Sequence, residues 1–425
     1  MDKKNILNTP EGMKSYLPKK ATEFKQIKDK VNQVFEKWGY TPVITPVLEY
    51  YDSLLVGVGQ KTKKEFYKLI DYDGNILALK PEMTAPIART VVNRREELSL
   101  PLRLSYSSPV FRYDSPQMGK NREIFQMGIE HLGDNLFADA ETIIIAIEAI
   151  KNAGIDNFKI DLGHVEYLEG IIKELNLFEE QGQELKEYLG EKNFVGFRGY
   201  VDNLEIENKA LLKEFPLLRG KKDILEKAKK LVNNKISRKA INKLKKIYTY
   251  LKGYQVEDYV NFDLSLLRGM DYYTGMIFEG YTEKLGYNVC GGGRYDNLLK
   301  KYGEEKIPAV GFALGIQRIS LSLENEKEAF AQGKIDGMIV FNFQNRENAL
   351  NTTKRLHNQG YNIIIREDDS VSEKLISTGK QKRVKKIISF LDYKQTDKIE
   401  IIDIETGVKK ELKLKEGWEQ KIWAN

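Results

Sequence analysis

Residues 110–133 read VFRYDSPQMGKNREIFQMGIEHLG. Two apolar runs, LRLSYSSPVFRYD (102–114) and EIFQMGIEHLG (123–133), flank a polar stretch, SPQMGKNR (115–122). That pattern predicts a β-hairpin with a long basic loop. Strand alternation puts Gln126 and Glu130 on one face. Glu130 sits among apolar residues, and a carboxylate there needs a partner. Arg112, Lys120 and Arg122 ring the loop, and a guanidinium fork suits phosphate or carboxylate. The plainer alternative is a structural salt bridge.

Two further segments carry unusual chemistry. ALKPEMTAPIAR (78–89) sets Glu82 and Thr84 two residues apart, on one side if the segment is a strand, where they could hold an ammonium group. A solvated strand edge is the competing reading. LLRGMDYYTGMIFEGY (266–281) and CGGGRYDNLLKKYG (290–303) pack Arg268, Asp271, Tyr272, Tyr273, Thr274, Arg294 and Asp296 around the triple glycine 291–293. Glycines let a backbone approach closely. Together these suggest a pocket for a small polar ligand with amine, carboxylate and ring groups.

Outward from these segments, apolar residues at spacings of three and four predict a helix over 21–38, stopped by Gly39. TPVITPVLEYY (41–51), with Pro42 and Pro46, reads as an edge strand or interface segment. FYKLIDYDGNILALK (66–80) reads as a hairpin turning at Asp73-Gly74. A helix is expected over 138–153 and a strand in IDNFKIDLGHV. Residues 167–259 read as an inserted helical subdomain within a core of 1–323. PAVGFALGIQRISLSL (308–323) is a strand running into a helix, 324–337 a linker, and 338–425 a small α/β domain.

Composition excludes several classes. The chain has 425 residues, 41% hydrophobic and 31% charged, with no apolar run of spanning length and no signal-peptide core at its start. One cysteine, Cys290, excludes an internal disulfide framework and a cysteine zinc cage; three scattered histidines, His131, His164 and His357, give no metal site. A bacterial-type cytoplasmic protein without cofactor or membrane partner is expected. The net charge of +6 is too small over this length to argue for nucleic acid. P-loop, dinucleotide, HExxH and G-x-S-x-G motifs are absent.

In order, PEGMKSYLP, KPEMT, FRYDSPQ…REIFQMGIE, LLRGMDYYTG, CGGGRYD and PAVGFALGIQR resemble the catalytic domain of the histidyl-tRNA synthetase family over roughly residues 9–323. The resemblance implies an α+β, class II aminoacyl-tRNA synthetase-like fold: an antiparallel sheet of six to seven strands flanked by helices. It also implies a self-dimer built on the first long helix and the Pro46 strand. The synthetase's histidine pocket carries over to Glu82, Thr84, Gln126, Glu130, Arg268, Tyr272 and Tyr273, with Arg112 retained beside them. Its nucleotide half does not carry over. Tyr113-Asp114-Ser115 stands for His-Glu-Arg, Ile124 for phenylalanine, Lys120 for arginine and Gln317 for an acidic residue, while Arg112 and Arg318 remain.

KPEMTAPIAR, DLGHVEY (161–167), LPLRLSYSSPVFRYDSPQ and LGYNVCGGGRYDNLL resemble more closely the ATP phosphoribosyltransferase regulatory subunit family. That resemblance implies a chain with no catalytic residue of its own, dimeric within a hetero-octamer. Its partner is the short-form catalytic subunit, which joins ATP and phosphoribosyl pyrophosphate in the first step of histidine biosynthesis. The expected role is to activate that partner and make it responsive to L-histidine. The alternative is a histidine–tRNA ligase using ATP, Mg²⁺ and tRNA. A weaker possibility is RNA binding through the C-terminal cluster Lys380, Lys382, Arg383, Lys385 and Lys386; a solvated helix face is the preferred reading there.

Overall fold

The computed structural model describes residues 6–58, 60–113, 121–133, 136–268, 272–283, 285–303, 305–323, 335–392, 398–414, 418 and 422–423. Expectations for Asp114, Ser115, Lys120, Asp271 and linker residues 324–334 lie outside that set. The chain divides into two compact units, Met1–Ala329 and Phe330–Asn425.

The first unit is built on the hairpin. Leu102–Phe111 and Glu123–Leu132 pair antiparallel from Leu102↔Leu132 to Phe111↔Glu123. The sheet continues through Ala309–Gly315, Asn288–Arg294, Met276–Thr282 and Phe158–His164. Every neighbouring pair in this run of six strands is antiparallel. Two-residue strands Thr41–Pro42 and Arg219–Gly220 and the strand Val260–Asp263 extend it to nine strands among the described residues. Thr41–Pro42 lies at the edge and runs parallel to its neighbour, where a proline costs no ladder bond on its outer side.

Register assigns the two faces. His131, Ile129 and Met127 point one way with their partners Val310, Phe312 and Leu314. This face is covered by helices Pro18–Lys37 and Leu136–Ala153, the first ending before Gly39 at φ +74°. Buried isoleucines at 143, 145, 147 and 150 show the second helix covered nearly all round, so burial overrides the weak helix preference of β-branched residues. Its two buried acids are matched: Asp139 accepts from Arg294 Nε at 2.6 Å, and Glu141 takes both arms of Arg103 at 2.6 and 2.9 Å. Arg294 also reaches Asp296 at 3.1 Å. Arg294 and Asp296, grouped with the pocket from sequence, therefore serve this covered face.

Two local expectations change. Ile70 pairs with Ile76, so the turn is a five-residue loop and not the two-residue Asp73-Gly74 turn. Asp71 Oδ1 accepts from the amides of Asp73 and Asn75 and closes the longer loop. This hairpin and Leu48–Tyr50 form a separate three-stranded sheet. Residues 165–253 are mostly helical, from Val165–Glu174 to Lys235–Gly253. The last of these helices buries Ala240, Ile241, Leu244, Ile247 and Leu251, one stripe at helical spacing.

The second unit has a five-stranded sheet. Ile363–Glu367, Ile335–Phe341 and Val384–Ser389 run parallel, and Lys398–Asp403 and Lys409–Lys413 add antiparallel. Helices Arg346–Asn358 and Glu373–Gln381 complete it. No described helix is long and apolar enough to cross a membrane.

Candidate functional site

The opposite face of the large sheet, on which the segment around Met83, Ile87 and Val91 packs, holds the cavity. Along three strands the residues pointing there are small where they meet: Gly128, Gly311, Ala313, Gly291 and Gly293 oppose one another in register. The missing side chains lower the floor. A Cβ on Gly291 would come within 1.7 Å of Arg268 Nη1, and one on Gly311 within 1.8 Å of Glu130 Oε2. Of the three glycines, Gly291 and Gly293 thus make room for Arg268 and Tyr273, side chains that shape the site.

Seven of the eight sequence-derived residues line one space: Glu82, Thr84, Arg112, Gln126, Arg268, Tyr272 and Tyr273. The space between their atoms measures about 410 Å³ including the solvent at its open mouth. The eighth, Glu130, lies directly behind at 1% exposure. Its Oε1 accepts from Thr84 Oγ1 at 2.7 Å, and its Oε2 accepts from the Tyr295 hydroxyl. Burial pushes its carboxyl up to about 8, against the two hydroxyls that lower it. Its partners are therefore neutral hydroxyls, and the structural salt bridge considered above is not what satisfies it.

Glu82 and Thr84 do not lie on a strand. The strand Ile76–Leu79 ends before Pro81, and Thr84 opens the helix Thr84–Asn93. Glu82 is buried, with Oε2 accepting from the Thr84 amide and Oε1 from the Ala85 amide, each at 2.7 Å. It satisfies two orphan donors of the helix start and is not a solvated edge. Burial raises its pKa despite these bonds. Arg112 Nε donates to Pro81 O at 2.8 Å, which ties the hairpin to this turn. Lys80, just upstream, is fully buried and donates to Thr45 O and Oγ1; burial lowers it to about 8.

Arg268 donates through Nη1 to Glu279 Oε1 at 3.0 Å and Phe278 O at 3.3 Å. Burial alone would lower its pKa, but Tyr273, Glu279 and Tyr272 outweigh that and hold it raised and charged. Tyr272 packs against Tyr273 and Tyr295, with ring centroids 4.8 and 5.6 Å apart. Burial raises all three phenols. Tyr106 and Tyr295 also line the space and were missed from sequence. The signal for Tyr106 was register: it opposes Gly128, between the rungs of Gln126 and Glu130.

Arg122, from the basic loop, and Arg318, from the neighbouring half, behave differently. Arg122 packs under Gly12, pairs with Glu11 at 3.2 Å and lies over the Tyr113 ring at 4.3 Å. Arg318 Nη1 donates to both oxygens of Asn288, at 2.6 and 2.7 Å. Gln317 accepts from Phe125 N at 2.9 Å and donates to Glu123 O at 3.2 Å. In the second unit, Lys385 is held by Asp336 and Lys386 by Ile422 O. No group of three or more histidine, cysteine or acidic side chains among the described residues is placed to hold a metal ion.

What the site offers is recognition: acceptors for an ammonium, guanidinia for a carboxylate, and aromatic walls for a ring. A family model described as histidyl-tRNA synthetase matches residues 12–319. An ATP phosphoribosyltransferase regulatory subunit from Halothermothrix orenii is 50% identical over 400 residues, 94% of this chain and 96% of its own. The chain belongs to the ATP phosphoribosyltransferase regulatory subunit family. Among solved structures of similar shape is an ATP phosphoribosyltransferase regulatory subunit/histidyl-tRNA synthetase from Bacillus halodurans. It has a TM-score of 0.82 and 33% identity, covering 90% of this chain and 98% of that one. A histidyl-tRNA synthetase from Nostoc shares the class II fold at TM-score 0.82 and 22% identity, covering 98% of both chains. The chain is a non-catalytic regulatory subunit of ATP phosphoribosyltransferase with a class II synthetase fold.

Proposed function

We propose that this regulatory subunit senses L-histidine and passes that signal to a short-form catalytic subunit in the first step of histidine biosynthesis. The observation that carries the reading is the convergence of Glu82, Thr84, Arg112, Gln126, Arg268, Tyr272 and Tyr273 on one cavity, with Glu130 behind. Glu82 uses one site on each oxygen for the helix amides and keeps further lone pairs for an ammonium group. Arg112 and Arg268 suit the α-carboxylate. The tyrosine rings and the Thr84–Glu130–Tyr295 chain suit the imidazole. Bound histidine then favours one arrangement of the subunit over another. By linkage, the partner's active-state substrates and histidine weaken each other by the same factor. This chain supplies no catalytic residue to the joining of ATP and phosphoribosyl pyrophosphate.

A self-dimer within a hetero-octamer belongs to the same reading. Leu48, Tyr50 and Leu69 share one exposed face of the three-stranded sheet, and Ile44, four residues before Leu48 in sequence, is 93% exposed. Exposed apolar side chains gathered in this way mark a protein contact. The test uses the purified chain. Calorimetry reports histidine binding; adding the short catalytic subunit should stimulate phosphoribosyl transfer, and histidine should reverse it. Histidine-dependent pyrophosphate exchange with ATP at synthetase-like rates would overturn the reading in favour of a histidine–tRNA ligase.

A further inference from the structure

Arg268 depends on a carboxylate that the helical insertion also touches. Its Nε is buried without a hydrogen-bond partner among the described residues, and its Nη1 reaches Glu279 and Phe278 O. Among the described residues, Glu279 is the charged group paired with this guanidinium over Gly291. Glu279 is itself held from two further directions. Asn288 Nδ2 donates to Oε1 at 3.0 Å, and the Tyr281 hydroxyl donates to Oε2. Lys192 completes the chain. Its Nζ donates to the Tyr281 oxygen at 2.7 Å, lies 5.0 Å from the Tyr281 ring centre and sits 3.9 Å from Glu279 Oε2.

Lys192 is not on the sheet. It sits between helices Glu179–Gly190 and Phe194–Asn203, at φ +56°. Asn193 beside it caps the second helix, accepting from Gly196 N at 2.9 Å. The turn is thereby fixed relative to the helical insertion, so the lysine reports where that insertion lies.

We propose that Glu279 and Tyr281 are positioning residues for Arg268, and that Lys192 makes this positioning depend on the placement of the helical insertion. The proposal rests on the histidine reading of the pocket. A carboxylate held from several sides has one orientation, and the guanidinium it pairs with inherits that orientation. Releasing Lys192 frees Tyr281, then Glu279, then Arg268. By reciprocity, a ligand that engages Arg268 tightens the Lys192 contact and biases the insertion.

The experiment uses the full chain and two readouts. Histidine affinity is measured by calorimetry on wild type, E279Q, Y281F, K192M, K192R and the Y281F/K192M pair. Arg268 accessibility is measured without ligand, by phenylglyoxal modification and peptide mass spectrometry. E279Q should weaken histidine by on the order of tenfold or more, because it removes a charge-assisted bond. Y281F and K192M should each cost about two- to tenfold. K192R should restore most of the K192M loss, and the pair should be no worse than Y281F alone. Arg268 should react faster in E279Q and Y281F, with unfolding curves unchanged in Y281F and K192M. If wild type binds no histidine yet Arg268 still reacts faster in these variants, the histidine reading fails and the positioning chain stands. Arg268 reactivity unchanged in both E279Q and Y281F would overturn the proposal. So would additive losses in the pair, which would separate Lys192 from Tyr281.

Discussion

The two halves of the region around the sheet's cavity contain similar residue types arranged to opposite effect. Around the cavity, glycines and Ala313 lower the floor and the polar groups of Arg268, Tyr272, Tyr273 and Gln126 line empty space. Toward Arg318 the polar groups are turned on the protein itself. Gln317 stitches the Ile316–Leu323 helix to the backbone of Glu123 and Phe125, Arg318 Nη1 holds Asn288, and Arg122 is buried under Gly12. An amide both donates and accepts, so Gln317 can bridge an N–H and a C=O; an acidic residue there, acceptor-only when ionised, could not. The contrast teaches that residue type alone does not mark a binding site. What matters is whether donors and acceptors are left facing a space.

The sharpest way to break the contrast is to raise the floor. Gly311→Ala would place a Cβ 1.8 Å from Glu130 Oε2 and 2.5 Å from Ile129 O. The backbone oxygen cannot swing aside, so the strands must part. We expect a loss of about 3 kcal/mol, read by chemical denaturation, with histidine binding gone. Gly291→Ala differs in kind. Its three nearest neighbours all belong to the Arg268 guanidinium, at 1.7, 2.6 and 2.8 Å, the far end of a flexible side chain. Arg268 should move and the fold should stay. Stability should fall by about 1 kcal/mol or less, while histidine affinity drops on the order of tenfold. Unchanged affinity in a folded G291A chain would remove Arg268 from the ligand contacts.

Glu130 gives a prediction in pH. Burial raises its carboxyl to about 8 in the fold, whereas an unfolded glutamate titrates near ~4.3. Between these values the folded chain keeps a proton that the unfolded chain has lost. The stability from the neutral form is full below the unfolded value and declines as pH rises to about 8. Glu130→Gln cannot titrate, and its amide can still meet Thr84 and Tyr295, whose hydroxyls both donate and accept. The variant should lose up to about 1 kcal/mol per pH unit of that slope, measured by denaturation at several pH values. An unchanged slope would mean that Glu130 is ionised within the fold.

The sequence-based reading succeeded where one period governed. The hairpin over 102–133, the helix expected over 21–38 and found over Pro18–Lys37 with its Gly39 stop, and the shared face of Gln126 and Glu130 follow from alternation and helical spacing. It failed where a side chain replaced a backbone partner. Strand alternation over 78–89 ignored Pro81 and the apolar spacing of Ile87, Ala88 and Val91, which mark a helix start capped by Glu82. Likewise Asp71 lengthened a turn that Asp73-Gly74 alone would have kept tight. The small-residue floor needed three strands in register at once, and Tyr106 a fourth beside them, so Gly311 and Tyr106 carried no local signal. The family motifs, by contrast, were legible as an ordered series.

The smallest effect tests the quieter half. Gln317→Ala removes the acceptor for Phe125 N and the donor to Glu123 O. Gln317 is 7% exposed, so water cannot freely replace both bonds. A lost partner for a mostly buried amide costs about 1–2 kcal/mol, which denaturation would detect. Histidine affinity should stay within about twofold, because none of these atoms lines the cavity. If instead histidine binding weakened as much as in G291A, the two halves would be coupled. The self-satisfied half would then belong to the sensor, and its bonds to the strand Glu123–Leu132, which carries Gln126 and Glu130, would be the route.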